Sequence, residues 1–457
     1  MKKIISKIII FINLKTLLNK IFIQKYNFKY KLKNQDDKMQ ILADVGGIPG
    51  KDCRGFCKYC YFKKVKDIKP LGCKYCSPTK IGCDKCSIGI QDAESEFKPV
   101  FLVANELQSR LMFNPIRDNN LKVNISGGGD VSCYPQIKEL AEVINQFQLP
   151  MHLGYTSGKG IDNEKWATDL INYGVDEVTY TLFAADEKLR REWMGDPSPE
   201  ASLKAAEIFS QNTELHAAMV IVPGVNDGEV LKNTCEKLEE WGAHAAILMR
   251  FANTTEGGLI LNNAPIVKGI ESQSVESFEE LVKEINSEFP KLRVTGTPVC
   301  DPETGAPFAI ANDGNEIYLQ FIPKVTGEAT IISSSIAGPK IAKIFEKINA
   351  DDKVNVISTK KDIACLITKY DLEDIDLSEV KDTVLIPGRA YVHELDLNRI
   401  FSADGKERLV TRGPDTLSVD GELSGNLTDE DVIEKELEQF RDLVEAINFF
   451  GMVVPKK

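Results

Sequence analysis

The chain predicts an α/β protein: a full or partial TIM-type barrel followed by a smaller α+β domain. Two observations point to it. From Met39 onward, short β-rich runs alternate with amphipathic helical runs, the pattern of a parallel sheet with crossover helices. In addition, 457 residues with 43% hydrophobic and 27% charged side chains are too many for one ordinary core, so two packed domains are expected.

Barrel strands are expected at residues 40–45, 122–126, 152–156, 177–183, 215–222 and 245–251, with helices such as 101–112, 135–147, 199–210 and 229–241 between them. Chemistry in such a barrel sits on the loops at the C-terminal ends of its strands. After a further run at 294–297, the turn-rich stretch 298–307 reads as a boundary, giving domains at 39–300 and 301–457. In the second domain, strands are expected at 316–321, 329–333, 354–358, 363–368 and 383–386, with helices at 338–348 and 428–450.

The net charge is −12, but residues 1–38 hold ten lysines against Asp36 and Asp37, so that segment is +8 and the remainder −20. An acidic body lacks the basic grooves that release counterions from a phosphate backbone, so nucleic acid is not the expected partner. The apolar run 8–12 is too short to span a bilayer, and no small-residue cleavage site follows it. The segment reads as a basic amphipathic helix on a membrane or partner, or as a dispensable extension upstream of a natural start at Met39; the second is the expectation, without stable membrane insertion.

Seven of the eleven cysteines fall between Cys53 and Cys86. Such clustering without a secretory signal indicates metal ligation in a reducing cytoplasm rather than disulfides. Cys53, Cys57 and Cys60, in CxxxCxxC spacing directly after the first strand, can hold three corners of a 4Fe-4S cluster and leave the fourth iron open to a chelate. The spacing alone also fits a structural zinc knuckle. In the radical S-adenosylmethionine (radical SAM) enzymes that this segment resembles, SAM binds that open iron and is cleaved reductively to a 5'-deoxyadenosyl radical. Tyr59 and Tyr61 flank the last cysteine, where either ring could contact the adenine or the cluster, or pack beneath the loop.

Gly127, Gly128, Gly129 and Asp130 follow the second strand; the glycines admit close backbone approach, and the segment is either a SAM-binding turn or a plain tight turn. Ser157 and Thr181, at the ends of the third and fourth strands, are further candidate SAM contacts. Cys73, Cys76, Cys83 and Cys86 form paired CxxC motifs that close around one tetrahedral metal, and zinc and ferrous iron both accept four thiolates. The histidines, His152, His216, His244 and His393, read as packing or surface residues rather than metal ligands.

The run Met39-Gln-Ile-Leu-Ala-Asp-Val-Gly-Gly-Ile-Pro-Gly-Lys-Asp-Cys53-Arg-Gly-Phe-Cys57-Lys-Tyr-Cys60, the CxxC pair and Gly-Gly-Gly-Asp-Val-Ser-Cys-Tyr-Pro together resemble the methyl-coenzyme M reductase arginine methyltransferase family, methanogenesis marker protein ten. The resemblance runs from Met39 to the C-terminus and implies a cobalamin-dependent radical SAM methyltransferase. Its implied substrate is an arginine of the methyl-coenzyme M reductase alpha subunit, methylated at the delta carbon, with an electron donor as second partner. It also implies a mononuclear iron on the four-cysteine loop and a C-terminal cobalamin domain. Within that domain Ser333, Ser334, Ser335 and Gly338, at a strand-turn-helix junction, are candidate cobalamin contacts, with simple packing as the alternative. Two other functions fit the residues: a peptide-modifying radical SAM enzyme without cobalamin, and a zinc-stapled scaffold without activity.

Overall fold

The computed structural model describes residues 40–64, 96–113, 121–422 and 424–452. The extension 1–38 and the loop bearing Cys73, Cys76, Cys83 and Cys86 lie outside the described residues.

Seven parallel strands pair in chain order: β1 (Gln40–Asp44), β2 (Lys122–Ser126), β3 (Met151–Thr156), β4 (Val175–Thr181), β5 (Glu214–Ile221), β6 (Ala245–Arg250) and β7 (Arg293–Thr297). β1 and β7 do not pair, so this is an open barrel. Around it lie α1 (Val100–Phe113), α2 (Ile137–Asn145), α3 (Lys165–Asn172), α4 (Pro199–Asn212), α5 (Gly228–Trp241) and α6 (Val275–Glu288). Alternate strand residues face these helices: Val123, Ile125, Leu153 and Val178 are fully buried against side chains such as Leu140 and Ile144 of α2. Each such side chain contributes about 1.5–3 kcal/mol by leaving water.

The inward face is polar, unlike the branched apolar layers that fill a closed TIM barrel. Lys122 bonds Glu177 at 2.7 Å, His152 Nε2 lies 2.9 Å from Thr179 Oγ1, and Asn124 donates to Gln40. The apolar core therefore lies between sheet and helices, leaving the lumen to polar groups.

The second sheet is also wholly parallel. Its strands are β8 (Ala329–Ser333), β9 (Val354–Ser358), β10 (Thr383–Ile386) and β11 (Leu409–Arg412), in the order β11-β10-β8-β9. Ala329, Ile331 and Leu385 pack with α8 (Ala337–Lys347) and α11 (Asp429–Phe450), whereas Ile332, Val384 and Ile386 pack with α10 (Glu394–Phe401). Both faces are covered, so the expected smaller domain has a doubly wound parallel sheet, with helices interleaved rather than segregated. Gly338 of α8 brings that helix close to β9: a Cβ there would stand 2.0 Å from Ser358 Oγ. Thr428 and Asp431 form a capping box at the start of α11.

Two expected strands are absent. Residues 316–321 instead begin with α7 (Glu316–Leu319), because Glu316 accepts from Gly314 N–H and Asn315 carbonyl accepts from Tyr318 N–H, closing a helical turn. Residues 363–368 contain a 3-10 turn, Ala364–Leu366. There Thr368 gives its N–H to Asp371 to cap α9 (Lys369–Glu373), which removes a donor that a ladder needs. No described helix is long and apolar enough to cross a membrane.

Candidate active site

The loop after β1 carries Cys53, Cys57 and Cys60, all free and partly buried. Two tight turns shape it: Gly55 N–H donates to Gly50 carbonyl at 2.8 Å and Cys60 N–H to Cys57 carbonyl at 3.2 Å. Its other anchors come from the C-terminal ends of distant strands. Arg54 donates to the Lys159 carbonyl at 3.0 Å, and the buried Lys159 ammonium donates back to the Gly55 carbonyl. Lys58 pairs with Glu192 at 2.9 Å, and Asn263 donates to the Tyr61 and Lys63 carbonyls.

Burial pushes all three thiols up, Cys60 to about 12, while the Lys159 ammonium pulls each back. A bare thiolate triad here would be costly to ionise; iron binding would replace the protons and supply the missing positive charge, so the donor set fits a cluster. Tyr59 is buried, stacked on Phe183 at 4.9 Å, and Phe183 on Trp193 at 5.9 Å. Its hydroxyl lies beside Cys57, and burial pushes its pKa up. Tyr61 is 57% exposed, with its ring against Phe62 at 4.2 Å.

Gly127, Gly128, Gly129 and Asp130 lie directly against the glycine turn after β1. A Cβ on Gly127 would stand 2.2 Å from the Gly46 carbonyl oxygen, so only glycine lets the two turns meet. The buried Asp130 accepts from Ser132 N–H and Ser157 N–H, both at 3.0 Å, and from both their hydroxyls. It thereby clamps the end of β2 to the end of β3.

Sequence reasoning missed the group that locks these ends together. Arg190 is completely buried and donates to the Ser157 carbonyl at 2.6 Å, the Leu182 carbonyl at 2.6 Å, the Thr181 carbonyl at 3.4 Å and Asp196 Oδ2 at 2.7 and 2.9 Å. Ser157 and Thr181 are therefore brought together through their backbones. The Glu-Lys-Leu-Arg-Arg-Glu run reads as a solvated helix; the one available signal was Gly195-Asp196-Pro197, a helix stop with a carboxylate beside it.

The second sheet meets this mouth with its own C-terminal edge. Arg250, ending β6, pairs with Asp362 at 2.6 Å, and Asp362 accepts from Ser335 at 2.7 Å. Tyr155 bonds Glu422, whose carboxyl burial pushes up. Ser333 and Ser334 are buried, and Ser334 Oγ accepts from Ala337 N–H at 3.1 Å. Ser333 ends β8 opposite Ser358 of β9, and the winding direction of the sheet reverses on the other side of β8, between it and β10, the place where doubly wound proteins bind ligands.

No curated protein matches the chain in sequence. Among solved structures, SuiB of Streptococcus suis bound to the precursor peptide SuiA is 13% identical, with 58% of this chain and 50% of that chain covered at a TM-score of 0.36. Methylornithine synthase (PylB) is 13% identical over 70% of this chain and 71% of its own, TM-score 0.34. The radical SAM methyltransferase TsrM of Kitasatospora setae, with cobalamin and a 4Fe-4S cluster bound, is 12% identical over 46% and 33%, TM-score 0.31. The chain thus spans about half the length of SuiB. Residues 48–233, from the glycine turn after β1 into α5, match the Radical SAM superfamily.

Proposed function

We propose that the protein is a cobalamin-dependent radical SAM methyltransferase that adds a methyl group to the delta carbon of an arginine in the methyl-coenzyme M reductase alpha subunit. The observation that carries the reading is the meeting of two C-terminal sheet edges. The cysteine loop stands on one, the reversal point between β8 and β10 on the other, and Arg250, Asp362 and Ser335 join them.

An sp3 carbon has no lone pair with which to attack a sulfonium, so two reagents must reach one carbon: one to remove hydrogen, one to deliver methyl. When bound, a cluster on Cys53, Cys57 and Cys60 supplies the electron for SAM cleavage, and cobalamin carries the methyl group. The chain's own residues orient these partners. Asp130 and Arg190 fix the loops that would surround SAM, and the turn at Ser333, Ser334 and Ser335 offers a cradle at the facing edge, where Gly338 sets the helix against β9. Glu422, bonded to the Tyr155 hydroxyl, adds an acidic side chain to the same mouth. On this reading Cys73, Cys76, Cys83 and Cys86 hold the mononuclear iron.

The test is an alpha-subunit peptide carrying delta-deuterated arginine, incubated with methylcobalamin, SAM and a reductant. Mass spectrometry is expected to find deuterium in 5'-deoxyadenosine and one methyl on the delta carbon. A methyl on guanidinium nitrogen, or modification without any corrin, would refute the reading.

A further inference from the structure

The two histidines that look unremarkable in sequence, His216 and His244, converge at the end of the barrel opposite the cysteine loop. Glu214 and His216 begin β5, and His244 immediately precedes β6. The ligand atoms of all three lie within 4.8 Å of one another. His216 Nε2 is 3.5 Å and His244 Nε2 3.7 Å from Glu214 Oε1, and the rings stand 5.1 Å apart at 47°. Ligands about 2.0–2.2 Å from a tetrahedral zinc ion are roughly 3.4 Å from each other, so both separations are close to those of one coordination sphere.

A second observation is independent of this spacing. His216 is 5% exposed, and its Nε2 is buried without a hydrogen-bond partner among the described residues. A buried imidazole nitrogen facing a carboxylate, with no proton shared, is a stored desolvation cost that a cation would remove. The scaffold is also fixed in advance: His244 N–H donates to the Leu215 carbonyl at 2.9 Å, its carbonyl accepts from Arg293 N–H at 3.3 Å, and its ring bonds the Gly425 backbone. Such an outer bond orients an imidazole for a metal. Nearby cations are already matched: Arg293 pairs with Asp301 and Glu303, and Lys122 with Asp176 and Glu177. His244 is 44% exposed and leaves a path for the ion and for water as a fourth ligand.

We infer that Glu214, His216 and His244 form a divalent-metal site of zinc type. It lies roughly 20 Å along β5 from the mouth, taking about 3.3 Å per residue. An ion there would tie β5 to the start of β6 and, through Gly425, to the segment before α11, so its role is structural rather than catalytic. The inference stands whether or not the proposed methyl transfer is correct.

The test uses the full chain, purified anaerobically with its iron centres loaded, then equilibrated with zinc ion and freed of excess. Elemental analysis is expected to find one more zinc per chain in the wild type than in His244→Asn or Glu214→Gln, with His244→Cys, which keeps a ligand, retaining it. SAM cleavage is expected to be unchanged in all four proteins, establishing that the variants fold. Anomalous scattering at the zinc edge should place the ion among the three side chains. Equal zinc in wild type and His244→Asn, or an anomalous peak at the cysteines alone, overturns the site.

Discussion

Replacing Asp196 by Ala isolates the energetics of the buried Arg190 clamp. Both side chains are 0% exposed, and Asp196 Oδ2 is the acceptor for two guanidinium N–H groups at 2.7 and 2.9 Å. The remaining guanidinium bonds go to the neutral carbonyls of Ser157, Thr181 and Leu182. Asp196→Ala therefore strands a positive charge in the interior, at a cost of about 3–5 kcal/mol. At about 1.4 kcal/mol per decade, that lowers the folding equilibrium constant by roughly two to three and a half powers of ten. Urea unfolding followed by the fluorescence of Trp193, which stacks on Phe183 nearby, measures it. The paired change Arg190→Met with Asp196→Leu removes both charges and should cost much less than the single one. A single-variant loss below about 1 kcal/mol, or a double variant worse than the single, would refute the charge-balance argument.

Substituting any one of Cys53, Cys57 or Cys60 by Ala should abolish 5'-deoxyadenosine formation, and full product from a folded single variant would contradict the ligand assignment. Gly127→Ala drives a methyl into the Gly46 carbonyl, at 2.2 Å, where backbone meets backbone; a loss of about 1–3 kcal/mol is expected, with weaker SAM binding by calorimetry. Glu436 is fully buried in α11, bonded to Ser418 and Ile310 N–H, and burial raises its carboxyl. The folded state thus holds this proton more tightly than the unfolded one, so stability declines as pH rises from the ordinary glutamate value through the raised one. Glu436→Gln should remove that slope, and an unchanged difference between the two proteins across the window would show that Glu436 does not carry it.

The strands at 122–126, 354–358 and 383–386 were legible to the residue, because short β-branched runs between turn residues have few other uses. The segment at 316–321, Glu-Ile-Tyr-Leu-Gln-Phe, misled because a short apolar and aromatic run is also compatible with one helical turn, and the Gly314 N–H contact to Glu316 decides between them. Cys53, Cys57 and Cys60 stand out as candidates in the sequence because the spacing of cluster ligands is local, and the structure places all three on one loop after β1. Arg190, Glu422 and the Glu214, His216 and His244 group do not stand out, since parallel strands bring together residues whose separation is set by intervening helices. Sequence spacing encodes no such distance: His216 and His244 become neighbours only through the β5 to β6 register, in which His216 faces Ala245.

The open barrel has a consequence for handling the protein in parts. β7 has a strand on one side only, and its other flank meets the segment before α11, where Gly421 is so close that a Cβ would stand 2.9 Å from Gly296 backbone atoms. A barrel expressed without the second sheet would bare the part of that flank that the Gly296–Cys300 bridge leaves uncovered, an edge able to recruit another chain. The shortened protein would then fail first by self-association, and its loss of function would say little about which residues perform the chemistry.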